Sequence, residues 1–176
     1  DASSATPSEK IQTMMGVFAN NGTKFVNRGT IKTVGSYSGN ENVQGLVGVA
    51  ILNGSTLENY GTIDLDADSS YSVLIKGTER NKSIIKNYGN INIKGLRSYG
   101  VRYDGYSKGV NGNDLPIGDD ATPANVLPAI NSGTGKIISA NGAQDYYAPK
   151  DPSKTIGGAG IVQLPNGKLA IQRSEE

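Results

Sequence analysis

A short phrase that returns at uneven intervals constrains this chain more than anything else in it. Asn27-Arg28-Gly29-Thr30-Ile31 is followed by Asn59-Tyr60-Gly61-Thr62-Ile63 and by Asn87-Tyr88-Gly89-Asn90-Ile91. A fourth version, Asn131-Ser132-Gly133-Thr134-Gly135-Lys136-Ile137, holds two extra residues before its isoleucine. A second phrase precedes each: Gly16-Val17-Phe18-Ala19, Gly48-Val49-Ala50-Ile51, Ser72-Val73-Leu74-Ile75 and Gly100-Val101-Arg102-Tyr103, with a last return at Gly160-Ile161-Val162-Gln163. The asparagines stand 32, 28 and 44 residues apart, and the leading valines 32, 24 and 28. Such periods exclude a coiled coil or a helical-hairpin array, whose repeats are tightly constrained in length. They fit a solenoid whose turns bulge out through loops of different size.

Inside each unit the period drops to two, as in Ile63-Asp64-Leu65 and Ile91-Asn92-Ile93, which is the mark of a strand with one dry face. Each unit therefore reads as one coil of three short strands, at 46–52, 55–60 and 62–66 in the second unit. Asn53-Gly54 and Gly61 supply the corners between them. Coils wound in one direction stack with parallel strands, and backbone chirality favours a right-handed path. The expected fold is all-β: a right-handed, single-stranded parallel β-helix of about five coils with one inserted loop, on the order of 24 Å tall at ~4.8 Å per coil.

Composition agrees with a narrow interior. Only 36% of the 176 residues are hydrophobic and 24 are glycine, so the core has to be built from stacked small aliphatics. Val17, Val49, Val73, Val101 and Ile161 should form one column, Ile31, Ile63, Ile91 and Ile137 a second, and Phe25, Leu57 and Ile85 a third. Asn27, Asn59, Asn87 and Asn131 are expected to stack as a structural ladder, since a buried amide needs partners for two donors and an acceptor. The glycine two residues later is expected to supply a φ value that other residues resist. Seventeen basic against sixteen acidic residues, with no charged block, give no sign of a nucleic-acid or anionic-membrane surface. With no histidine and no cysteine, every Ser-His or Cys-His nucleophile, every disulfide and the usual zinc ligands are excluded. No apolar run approaches the ~20 residues that span a bilayer.

The repeated phrases resemble those of autotransporter passenger domains, the secreted arms of type V secretion systems in Gram-negative bacteria. The Asn-Tyr-Gly-Thr-Ile form is similar to that of the large fusobacterial autotransporter adhesins. The resemblance runs from about Met14 to Ile171 on a short, degenerate motif. It implies a β-helix displayed outside the cell as an adhesin or stalk, meeting a surface protein or glycan of a host or another bacterium. It also implies attachment to the outer membrane through a C-terminal translocator barrel that this sequence does not contain. The lack of cysteine fits export through an outer-membrane pore. No cofactor is expected.

A polar lead at 1–10, a β-helix fragment at 11–173 and a polar end at 174–176 make up the expected organisation. The unit at 160–173, with its Asn166-Gly167 corner, reads as a last coil, and native coils are expected to continue past it. The segment 104–128 splits the fourth unit and lacks strand periodicity, so it is expected to be an inserted loop. Loops on a rigid scaffold are where function concentrates, and Tyr103, Tyr106, Asp114, Asp119 and Asp120 form the candidate binding surface there. A mobile, functionless insertion is the equal alternative. Its aspartates lack the spacing of an EF-hand. Asp64, Asp66 and Asp68 alternate on one strand and suit a solvated face better than a cation site. Tyr99, Tyr103 and Tyr106, with Tyr146 and Tyr147, form either a binding platform or column packing. The sequons at Asn21, Asn53 and Asn81 read as turns. A carbohydrate-active β-helix enzyme of the polysaccharide-lyase kind, and a phage or viral fibre segment, are the competing functions.

Overall fold

The computed structural model describes residues 14–39 and 45–148, together with the backbone of two further strands at 160–163 and 169–172. The first coil is β1 (Met14–Ala19), β2 (Lys24–Asn27) and β3 (Thr30–Lys32). The second is β4 (Leu46–Leu52), β5 (Thr56–Asn59) and β6 (Thr62–Asp66), and the third is β7 (Tyr71–Lys76), β8 (Ser83–Asn87) and β9 (Asn90–Lys94). The fourth holds β10 (Tyr99–Tyr103), β11 (Ser107–Lys108) and β12 (Lys136–Ala140), and β13 (Gln144–Tyr147) begins a fifth. Strands of successive coils pair in parallel, so the chain forms three walls: β1-β4-β7-β10-β13, β2-β5-β8-β11 and β3-β6-β9-β12. This is a parallel β-helix.

The register carries the columns. Val17, Val49, Val73 and Val101 pair in line along the first wall. Phe25, Leu57 and Ile85 do so along the second. Ile31, Ile63, Ile91 and Ile137 do so along the third. Their side chains meet in one interior cluster, and those of the two central coils have no solvent exposure. A smaller cluster of Tyr37, Leu46, Leu65, Ala67 and Ile93 fills the corner where the third wall hands over to the next coil. The Asn-Gly corners are tight: Asn53 and Gly54 both take positive φ (50° and 82°), and the amide of Ser55 closes the turn on the carbonyl of Leu52 at 3.2 Å.

Three expectations need correction. The fifth member of the first-wall column is Tyr146, which pairs with Val101 in register, and not Ile161. The phrase at Gly160 belongs to β14 (Gly160–Gln163), which pairs antiparallel with β15 (Leu169–Gln172), so these two strands form a local hairpin pairing and not the parallel pairing of a coil. Two apolar tetrapeptides so close in sequence close a local pairing at small entropic cost. In the second and third coils the glycine of Asn-x-Gly is also required for a different reason, while Gly133 of the fourth takes the expected positive φ of 60°. Gly61 does not take positive φ; a Cβ there would lie 2.0 Å from the carbonyl oxygen of Gly29 in the coil beside it. In the fourth coil this place falls to Gly135, whose Cβ would meet the Asn87 carbonyl at 2.1 Å, so the extra residues sit ahead of the essential glycine.

The inserted segment is ordered and packed. After β11 it turns back at 109–113, makes a 3-10 turn at Gly118–Asp120 and forms α1 (Pro123–Ile130). Leu115, Val126 and Ile130 enter the main core, where the helix takes the place of the missing second-wall residues. The polar lead at 1–10, the Asn166-Gly167 corner and the end at 174–176 lie outside the described residues.

Candidate functional site

The five candidate residues of the insertion do not converge on one surface. Tyr103 points inward, fully buried, and its hydroxyl donates to the carbonyl of Pro116. Burial pushes its phenol far above the ordinary tyrosine range, and Tyr146 beside it adds to the shift. Tyr106 is half-buried, and Asp114 is exposed in an ion pair with Lys82 at 2.9 Å. Asp119 and Asp120 are exposed on the 3-10 turn, where the carbonyl of Asp120 accepts from Asn125 Nδ2 at 2.9 Å. Asp104, next to Tyr103 and 2% exposed, is the titratable group that the sequence did not single out. Its Oδ1 accepts from the amides of Gly77 and Tyr106 and from the hydroxyl of Ser107, at 3.3, 3.0 and 3.1 Å. Burial raises its pKa, and these hydrogen bonds and Lys76 offset part of the rise.

The acidic row is also divided. Asp64 and Asp66 keep partial exposure, whereas Asp68 is buried and bridges coils, its carboxylate accepting the amides of Gly39 at 2.8 Å and Leu96 at 2.9 Å. Asp66 accepts from the hydroxyl of Ser38 at 2.8 Å. Among the described residues no group of three or more Asp or Glu is placed to hold a metal ion.

What the repeat does build is a set of buried polar ladders. Asn27 Nδ2 donates to Asn59 Oδ1 at 2.9 Å, Asn59 to Asn87 at 2.9 Å and Asn87 to Asn131 at 2.7 Å. Asn59 and Asn87 also reach the carbonyls of Asn90 and Lys136, at 3.2 and 3.1 Å. Two serine ladders accompany them. Ser55 and Ser83 accept amides of the preceding coil at 3.1 and 3.2 Å, and Ser70 and Ser98 do the same at 3.1 and 3.0 Å. Their sequence signal is a serine recurring 28 residues apart at each corner.

Aromatic side chains line up at two places. At the corner after the asparagines, Tyr60 and Tyr88 stack with centroids 4.9 Å apart, and the Arg28 guanidinium lies 4.6 Å over Tyr60. Tyr60 is 43% exposed, so this column presents its edge to solvent. On the outward side of the first wall, Tyr99 stacks on Tyr71 and meets Tyr147 in a tilted contact, and Arg102 lies over both Tyr71 and Tyr147. An open hollow of about 500 Å³ lies where the insertion meets β12 and β13, lined by Ala121, Pro123, Ser139, Asp145 and Tyr146. Burial raises the Tyr146 pKa, with Asp145 adding to it. Among the described residues no helix is long and apolar enough to cross a membrane. No family model matches the sequence, and no curated protein or solved structure matches it either.

Proposed function

We propose that the domain is a non-enzymatic segment of a bacterial cell-surface autotransporter passenger, serving as an adhesive arm or stalk. The observation that carries this reading is the use made of the acidic side chains. Asp66 and Asp68 hold neighbouring coils together, Asp104 holds the corner from which the insertion departs, and Asp114 ties the insertion to Lys82. Lyase chemistry needs an acid and a base converging on one cleft, and carboxylates used as rivets suit a scaffold instead. The exposed Arg28–Tyr60–Tyr88 column offers a partner a rigid amphipathic edge of the kind found at protein and glycan interfaces. The partner in this reading is a surface protein or glycan of a host or neighbouring bacterium, and the membrane is reached through a translocator barrel elsewhere in the gene product.

Antibody raised against the purified domain tests the reading on intact cells of the source organism. Labelling without permeabilisation, removed by external protease, is the expected result, and purified domain should block attachment of those cells to their target. Labelling only after permeabilisation overturns the surface assignment. Release of unsaturated sugars from a pectic polysaccharide incubated with the domain and calcium overturns the non-enzymatic one.

A further inference from the structure

The outward face of the first wall is dry, and the other two are not. In the central coils Thr56, Glu58, Lys86, Thr62, Asp64 and Asn92 project from the second and third walls with intermediate exposure. On the first wall Ala50 and Leu74 alternate with core residues and therefore point outward. The bend at Gly48 brings Val47 to the same side, and with Tyr71 these form a cluster separate from the core. Yet Val47, Ala50, Tyr71 and Leu74 keep only 2, 0, 1 and 3% of their surface. In-sheet neighbours cover a side chain's flanks and leave its top open. Phe18, in register with Ala50 on the same face, is 39% exposed and shows the column uncovered. The strands that pack most closely on β4 and β7 belong to this wall and to the two others, and Arg102 of β10 lies over the Tyr71 ring, which leaves the tops of Val47, Ala50 and Leu74 to be covered from elsewhere.

The chemistry of the remaining chain narrows the choice. Residues 1–13 contribute Ile11 as their one large aliphatic, and residues 40–44 contribute Val43. The stretch from 149 onward carries Ile156, Ile161, Val162, Leu164, Leu169 and Ile171. Its two strands pair as an antiparallel hairpin, and a lone two-stranded hairpin in water is marginal without a surface to pack on. The tether is suitable as well. β13 ends at Tyr147 on the first wall itself. From there residues 148–159, at about 3.4 Å each, reach any point on a wall about 19 Å high at ~4.8 Å per strand.

We propose that the β14–β15 hairpin lies across the outward face of the first wall, over Val47, Ala50, Tyr71 and Leu74. The occupant is this chain's own segment, and its docking withdraws the first wall from partners while leaving the Arg28–Tyr60–Tyr88 corner open.

A chain without cysteine makes the test direct. Ala50→Cys and, as the uncovered reference, Phe18→Cys are made in the full chain and reacted with a maleimide under native conditions. Ala50→Cys should react slower than Phe18→Cys by roughly 100-fold or more, as expected for a site that opens only by local detachment. Adding Ile161→Asp and Ile171→Asp should bring its rate most of the way to the reference while far-UV circular dichroism stays the same. Either aspartate alone serves if the pair prevents folding. Equal rates for the two single-cysteine chains overturn the proposal. So does protection that the hairpin charges leave intact, which assigns the cover to another segment, and so does protection lost on dilution, which assigns it to a second copy.

Discussion

Asn59 sits fully buried between two other amides, accepting from Asn27 and donating to Asn87, each at 2.9 Å. Replacing it with leucine takes the Oδ1 acceptor from Asn27 Nδ2 and one of two donors from Asn87 Oδ1, which keeps only the Gly89 amide at 3.3 Å. Asn59→Leu is expected to destabilise the domain by roughly 1–3 kcal/mol, read from the urea midpoint. An unchanged midpoint would mean the amides gain nothing from one another. Asp104 gives a prediction of a different kind. Its pKa is raised in the folded chain, so in the window just above the unfolded value of 3.8 the native state binds more protons than the unfolded one. Stability from this group is then full below that window and falls as pH rises through the folded pKa. Asp104→Asn keeps an oxygen for Gly77, Tyr106 and Ser107 and removes the charge. The variant should gain on the wild type as pH increases from about 4, and a difference that stays flat with pH would contradict the assignment. The asparagines were legible because a polar residue recurring in an apolar frame has few other uses. The reason for the glycine was not, since a close approach between coils leaves no trace in a single repeat and positive φ is the commoner cause.

At the scale of elements, the second coil was readable to within a residue at its strand ends, because alternation and Asn-Gly corners mark both strand and turn. The insertion was not. Pro123 and Pro128 lie five residues apart and read as breakers, yet Pro123 occupies the first turn, where its missing N–H costs nothing. Val126 and Ile130, one turn apart, then face the core together. The position of Tyr103 was hidden for the same reason: it reads as a loop-edge aromatic, but it is buried in the core and its hydroxyl donates to the Pro116 carbonyl of the insertion. Ile130→Ala should therefore cost roughly 2–4 kcal/mol, the range for emptying a buried aliphatic site. If the segment were a functionless, mobile loop, thermal unfolding of this variant would match the wild type.

For the molecule as a whole, burial is graded along the axis. Val17, Phe25 and Ile31 of the first coil keep partial exposure, as do Ile137 and Tyr146 at the other end of the described stack, whereas the equivalent residues of the second and third coils are fully buried. Each central strand pairs on both sides, while among the described residues β1, β2 and β3 pair only with the second coil. In a solenoid each coil's stability is its own plus that of its interfaces, so protection should follow this gradient. Native-state hydrogen exchange is expected to be slowest in β4 through β9 and faster by about 10-fold or more in β1–β3 and β12–β13, the outer coils opening without the centre. The buried ladders run the length of the stack and argue for the opposite extreme, in which amide-to-amide bonds lock all coils into one unit. Uniform protection from β1 to β13 would favour that extreme. The gradient is expected to prevail because hydrophobic burial, unlike the ladder, falls off at the outer coils.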